Sequence, residues 1–280
     1  MKKYNPFKIL IEIERGGVQS TSRGIIGNIG VGFLYLVLCT MYLYLIVYAG
    51  ISNIIILFTY TLIISIIFYA FILILFKKLF CYENREYLHK KINMKMGAYT
   101  FILGVGFTLF SCITSFFINK YFNTNSFNKA ISPMLSSLSW VIIYSSIIGP
   151  LCEEFVMRGI VLGGLLKKYS SKLSIVISSV IFGIIHMNPL QFITAFVMGL
   201  LLGTVYVKYK SLILCMIIHC VNNIMVAIAT YMPDKISYLK LSENNFFISL
   251  IFSFIGVIVM IIMIIFLNKE NKKCNYESMT

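Results

Sequence analysis

Long uncharged apolar runs dominate this sequence. Gly24–Phe76 contains no Asp, Glu, Lys or Arg over 53 residues. A bilayer core needs about 20 apolar helical residues per crossing, so this run alone has room for two transmembrane helices. Strands of a membrane barrel alternate apolar and polar residues. These runs do not alternate, which predicts helices.

Eight hydrophobic segments follow one another along the chain, and the fourth is too long for one straight crossing. It contains Gly149-Pro150, where we expect a break or kink because proline lacks the N–H that continues a helix. The segments are about Ile25–Tyr48, Ile51–Phe76, Met96–Asn119, Ala130–Leu166, Leu173–Met187, Leu190–Val207, Leu212–Met232 and Phe246–Leu267.

The pattern predicts an all-α fold, a polytopic transmembrane bundle of about eight spans with one membrane domain over 25–267. Residues 1–24 would be a cytoplasmic segment without a cleaved signal peptide, and 268–280 a cytoplasmic tail. Composition agrees with this prediction, since 59% of residues are hydrophobic, 12% are charged and the mean hydropathy is +0.88. The seven cysteines show no CxxC spacing, so neither a disulfide framework nor a cysteine metal site is expected.

The net charge of +14 needs no nucleic-acid partner, because the basic residues lie in the predicted loops. When the loops alternate between the two sides, one side receives 20 Lys and Arg residues and the other 4. Positively charged loops remain cytoplasmic. We therefore expect a multi-pass protein of the cell membrane with both termini in the cytoplasm.

Polar residues inside three of the hydrophobic segments are the candidate chemistry. Glu153 and Glu154 precede Arg158 within an apolar stretch, and a charge near the bilayer centre costs about 2.5–3.5 kcal/mol on insertion scales. If the chain turns at Lys168–Ser171, Glu153 faces His186 with each about 22 Å along its helix. An intramembrane carboxylate at the depth of an imidazole indicates a functional site.

The spacing of these residues is helical. Glu154 and Arg158 are i,i+4 and can pair, whereas Glu153 points about 100° away. Phe182 and His186 are also i,i+4, so the aromatic ring can wall the imidazole.

A third polar pair lies in the seventh segment, where His219 and Asn223 share one helical face. Counted from Lys210, they lie about 14 and 20 Å along that helix, a depth similar to that of the carboxylates. Gly199 and Gly203 fit the GxxxG pattern, which we interpret as close helix packing rather than as part of a site.

Together, Glu153-Glu154-x-x-x-Arg158, Phe182-x-x-x-His186 and His219-x-x-x-Asn223 resemble the three motifs of the CPBP intramembrane proteases. This family includes the type II CAAX prenyl endopeptidases and the bacteriocin-processing and self-immunity (Abi) proteins. The motif-bearing core covers about 147–223. The resemblance implies that Glu153 and His186 activate the attacking water, that His219 and Asn223 stabilise the oxyanion, and that Glu154, Arg158 and Phe182 support them.

Two versions of this chemistry remain open at this point. In the metal-free version Glu153 is the base for water, while the Asn223 amide and a His219 ring N–H stabilise the oxyanion. In the metal version Glu153, His186 and His219 would hold one divalent ion, zinc, with an open position for water. The sequence contains no HExxH motif.

The function expected is an intramembrane endopeptidase acting on a membrane-associated peptide or protein, such as a bacteriocin, a pheromone or a CAAX-like precursor. The alternative is a non-catalytic immunity or transport-associated membrane protein that uses the same polar cluster to bind an ion or a partner.

Overall fold

The computed structural model describes residues 92–121, 141–186, 189–231 and 237–277. The first two predicted segments and the start of the fourth lie outside these ranges. Within them the chain is entirely helical. The helices are α1 (Met94–Phe110), α2 (Cys112–Tyr121), π1 (Val141–Ile148), α3 (Gly149–Glu154), π2 (Phe155–Leu162), α4 (Gly163–Leu165), α5 (Ser171–Ile185), α6 (Pro189–Tyr209), α7 (Leu212–Tyr231), α8 (Tyr238–Asn244) and α9 (Phe246–Glu277).

In the described ranges, four helices are long and apolar enough to cross a membrane: Met94–Tyr121, Gln191–Tyr209, Leu212–Tyr231 and Phe246–Cys274. They coincide with the third, sixth, seventh and eighth predicted segments. Helix α5, the fifth segment, is apolar but shorter. The prediction of an all-α, multi-pass membrane protein is confirmed.

Helices α1 and α9 form an antiparallel pair whose ends are joined by polar contacts. Asn93 caps the N-terminus of α1, accepting the Met96 N–H at 2.8 Å, and its Nδ2 donates to Glu270 Oε1 at 2.8 Å. Further along the pair, the Ile113 N–H donates to Ser253 Oγ at 3.0 Å. The pair therefore keeps one register from end to end.

Glycines bring the helix pairs into backbone contact. A Cβ built on Gly256 of α9 would collide with the Phe110 backbone nitrogen of α1. In the α5–α6 hairpin a Cβ on Gly199 would lie 2.9 Å from Ser179 Cα, and one on Gly203 3.0 Å from Ile175. The close packing predicted for Gly199 and Gly203 is confirmed.

The fourth segment is one continuous helix from Val141 to Leu165 that changes its hydrogen-bonding pattern rather than breaking. Its first part is π-helical, and at Gly149-Pro150 the pattern becomes α-helical. Ile148, just before this change, has helical dihedral angles of −64° and −46°. The expected break is therefore wrong, since the helix continues through Gly149-Pro150. Pro150 lies in the first turn of the α-helical part, where a missing N–H is tolerated.

This composite helix contacts the two other helices that carry the motifs. It packs against α7 through π1 and α3, and against α5 through π2. A turn after Leu165 leads to Ser170, which caps α5, close to the predicted turn at Lys168–Ser171. The three helices that carry the motifs therefore meet.

Helix α8 was not predicted from the sequence. It contacts α2, α7 and α9 next to their adjoining ends. Its Ser237 cap donates to the Ala229 carbonyl of α7 at 2.6 Å. Burial raises the pKa of Glu243 in α8, although a hydrogen bond with Asn119 and the charge of Lys240 act in the opposite direction.

We expect Gly256→Ala to destabilise the protein by about 1–3 kcal/mol, because the added methyl meets α1 backbone that cannot move aside. The matched control is Gly97→Ala, since a Cβ there has nothing within 4 Å. Thermal unfolding in detergent should show a lower midpoint for Gly256→Ala alone. Equal midpoints would contradict the close α1–α9 contact.

Glu243 should make the attachment of α8 dependent on pH. Its pKa is raised in the folded state, so the protonated form contributes stability below the ordinary carboxyl pKa of about 4.3. That contribution is lost as pH rises through the folded-state pKa. Hydrogen exchange of the α8 amides should show more opening with rising pH, after correction for the intrinsic exchange rate, and Glu243→Gln should remove this trend. The same trend in both proteins would assign it to another group.

Candidate active site

Glu154 and Arg158 form a fully buried ion pair, as their spacing predicts. Arg158 Nε lies 3.0 Å from Glu154 Oε2, and both side chains are 0% exposed. Neither atom has a hydrogen bond of acceptable angle, so the contact is an ion pair rather than an aligned hydrogen bond. Arg158 Nη1 and Nη2 likewise lack a hydrogen-bond partner in the described part of the chain. The buried guanidinium of Arg158 is therefore stabilised by the Glu154 charge and by contact with an aromatic ring, that of Phe182.

His219 of α7 lies between the two carboxylates. Its Nδ1 is 2.9 Å from Glu154 Oε1, and its Nε2 is 3.8 Å from Glu153 Oε2. The first distance is a hydrogen bond, while the second is a close approach without one. Glu154 is completely buried and Glu153 is 25% exposed. The buried carboxylate therefore orients the imidazole, and the other remains open to a small molecule.

Phe182 of α5 joins the three motifs physically. The Arg158 guanidinium carbon lies 4.7 Å from the centre of its ring. The imidazoles of His186 and His219 meet the same ring edge to face, with centroids at 5.0 and 5.7 Å. The contact of Phe182 with His186 follows from their spacing, but those with Arg158 and His219 join separate helices. Such contacts favour a buried cation.

His186 follows the last residue of α5 and has one nitrogen committed to the backbone. Its Nδ1 is 2.8 Å from the Phe182 carbonyl oxygen. Because a carbonyl only accepts, Nδ1 carries the proton and Nε2 is the nitrogen left for other work. No ion pair or hydrogen bond links Glu153 and His186 among the contacts described. Glu153 and His186 could act on the same reacting group only through a water molecule between them.

Asn223 reaches the composite helix instead of the carboxylates. Its Nδ2 donates to the Ser145 carbonyl at 2.9 Å, and its Oδ1 accepts from Asn222 Nδ2 at 3.0 Å. Thr108 Oγ1 lies 3.2 Å from Asn222 Oδ1. The sequence reasoning did not select Thr108 or Asn222. The available signal was the doubled amide Asn222-Asn223 inside an apolar helix.

The residues do not fit the zinc alternative in this arrangement. Within the described ranges no three His, Cys, Asp or Glu side chains form a group that could hold a metal ion. Glu153, His186 and His219 are therefore near one another without converging on one point.

The fold and the cluster define a class: a polytopic membrane protein whose helices bring two carboxylates and two imidazoles together around one aromatic ring. Residues 135–225 match the family described as type II CAAX prenyl endopeptidase Rce1-like. The match contains all three motifs. The resemblance predicted from the motifs is confirmed over this segment.

Two relatives align with part of the chain. YdiL of Bacillus subtilis (strain 168), provisionally named a membrane peptidase, is 32% identical over 112 residues, 40% of this chain and 46% of YdiL. The membrane-embedded CAAX protease MroQ of Staphylococcus aureus (strain USA300) is 34% identical over 112 residues, 38% of this chain and 45% of MroQ. The chain thus spans a little under half the length of each relative. No solved structure matches.

Arg158→Met should destabilise the protein by about 3–5 kcal/mol, because it leaves the Glu154 carboxylate buried without its cation. Adding Glu154→Gln to Arg158→Met should recover part of this loss, since the amide carries no charge and can still accept from His219. Thermal unfolding in detergent of the single and double variants measures both effects. A double variant less stable than Arg158→Met would contradict a charge-based explanation.

Proposed function

We propose that the chain is an intramembrane endopeptidase that hydrolyses a peptide bond in a membrane-associated peptide or protein. The observation that carries the proposal is the position of His219 between the buried Glu154 and the partly exposed Glu153. The Rce1-like match over 135–225 and the names of the two relatives support the same class of reaction.

Glu153 is the proposed base for water. It is the more exposed of the two adjacent carboxylates, and its Oε2 approaches His219 without forming a hydrogen bond. Water bound there gives a proton to Glu153 as its oxygen attacks the carbonyl carbon. The same proton then passes to the leaving nitrogen as the C–N bond breaks.

His186 holds the attacking water from the other side. Its Nδ1 donates to the Phe182 carbonyl, which fixes the ring and makes Nε2 the acceptor. Since no direct contact joins His186 to Glu153 in the described region, we place the water between them. A water needs about two to four polar partners in a buried site, and these two residues supply the first two.

His219 and Asn223 are the proposed oxyanion donors. Glu154 accepts from His219 Nδ1 and so fixes the orientation of the ring. To donate from Nε2 as well, His219 acts as an imidazolium, in which both ring nitrogens carry a proton. Asn223 Nδ2 uses one hydrogen on the Ser145 carbonyl and keeps a second. One such donor is worth about 2.7–4 kcal/mol in a water-poor pocket. Arg158 and Phe182 hold Glu154 and the two rings in place.

The distribution of basic residues supports an orientation in the membrane. We place both termini and the turn between α4 and α5 in the cytoplasm, with 25–267 as one membrane domain. Substrates would be bacteriocin, pheromone or CAAX-like precursors. A non-catalytic immunity or transport-associated protein is the competing function, and a test for peptide cleavage separates the two.

Glu153→Gln and His186→Ala should each lower cleavage by about 10²-fold or more, because each removes a partner of the attacking water. The measurement is mass spectrometry of peptides incubated with purified protein in detergent, with and without a chelator. We expect unchanged turnover with the chelator.

The matched control is Glu243→Gln, which makes the same change in α8, outside the proposed machinery. Cleavage by Glu153→Gln at the rate of this control would remove Glu153 from the mechanism. If folded wild-type protein cleaves nothing, the non-catalytic alternative is favoured. Loss of activity with the chelator and recovery with Zn²⁺ would restore the metal alternative.

A further inference from the structure

A directed chain of hydrogen bonds runs from α1 to the composite helix. Thr108 Oγ1 lies 3.2 Å from Asn222 Oδ1, Asn222 Nδ2 donates to Asn223 Oδ1 at 3.0 Å, and Asn223 Nδ2 donates to the Ser145 carbonyl at 2.9 Å. It connects three helices and ends in the segment just before the Glu153–Glu154 pair. The motifs account for only Asn223 among these groups.

The far end of the chain fixes its direction. The Ser145 carbonyl accepts only, so the atom of Asn223 that faces it must be the NH₂. In π-helical spacing this carbonyl would pair with the N–H of residue 150, which is a proline and has none. The Asn223 amide therefore occupies a position that the helix backbone cannot fill.

The orientation of Asn223 determines the orientation of Asn222, and that of Asn222 determines the role of Thr108. With the NH₂ of Asn223 at Ser145, its Oδ1 faces Asn222, which must present its own NH₂. Asn222 Oδ1 is then an acceptor, and the only hydroxyl that reaches it among the described residues is that of Thr108. Thr108 is 1% exposed and shares its single proton with the Gly104 carbonyl at 3.0 Å.

We infer that Thr108 and Asn222 are positioning residues that fix the orientation of the Asn223 amide and so aim its second N–H at the oxyanion. The catalytic part of this inference rests on the proposed function, whereas the orientation of the amide does not. Reversal of the Asn223 amide would put its oxygen against the Ser145 carbonyl and remove the donor. The chain of hydrogen bonds from Thr108 through Asn222 opposes that reversal.

Thr108→Val is the test variant, because valine keeps the shape and removes the hydroxyl. Thr108→Ser keeps the hydroxyl and is the conservative rescue. The matched control is Thr100→Val: Thr100 is also buried on α1 and its hydroxyl donates to the Met96 carbonyl at 2.6 Å, but it has no link to Asn222.

The orientation is read by NMR of protein labelled with ¹⁵N-asparagine in detergent. Loss of signal in Asn223→Ala identifies the Asn223 side-chain pair. Thr108→Val should shift that pair although Asn222 stands between the two residues in the hydrogen-bond chain, and Thr100→Val should leave it in place. An unmoved Asn223 pair in Thr108→Val would overturn the inference. This measurement needs no substrate, so it tests whether Thr108 orients the Asn223 amide even if the protein cleaves no peptide.

If the protein cleaves peptides, steady-state kinetics measure the effect of this hydrogen-bond chain on catalysis. Thr108→Val should lower kcat about 2- to 10-fold with KM unchanged, the range of one hydrogen bond, and Thr108→Ser should restore it. In an Asn223→Ala background Thr108→Val should have no further effect. An equal loss in both backgrounds, or the same loss in Thr100→Val, would overturn the positioning role.

Discussion

The buried charge of Arg158 is the constraint on which the described bundle depends. A guanidinium that is 0% exposed requires an anion and a polarisable neighbour, and Glu154 and Phe182 provide them. Glu154 comes from the same helix, Phe182 from α5, and the second oxygen of Glu154 holds His219 of α7. One buried cation thus fixes the relative positions of the three helices that carry the motifs, while Glu153 beside it remains partly open.

Much of this arrangement could be predicted, because membrane helices give strong periodic signals. The third and the fifth to eighth segments, the Glu154–Arg158 pair and the Phe182–His186 contact followed from hydropathy and i,i+4 spacing. Contacts between helices could not be obtained in that way. Spacing places His219 at the depth of the carboxylates but does not say that it lies between them, since that depends on how α7 is rotated against the composite helix.

The two errors also have physical reasons. A proline in a long apolar segment usually breaks or kinks it, but Pro150 lies in the first turn of the α-helical part, and Asn223 of α7 donates to the Ser145 carbonyl in place of the missing N–H. Helix α8 escaped prediction because it is a short polar helix held by the neighbouring helix ends, and its sequence carries little periodic signal. In both cases packing against other helices outweighs local preference.

The π-helical stretches that flank the carboxylates have a consequence for comparing sequences. A π-helical turn holds more residues than an α-helical turn. Val141–Ile148 therefore contains more residues than an α-helix of the same axial length would. A homologue lacking one residue there could present the same two carboxylates from a regular α-helix. An alignment that permits no gap upstream of Gly149 would then pair the wrong residues on one side of the cluster.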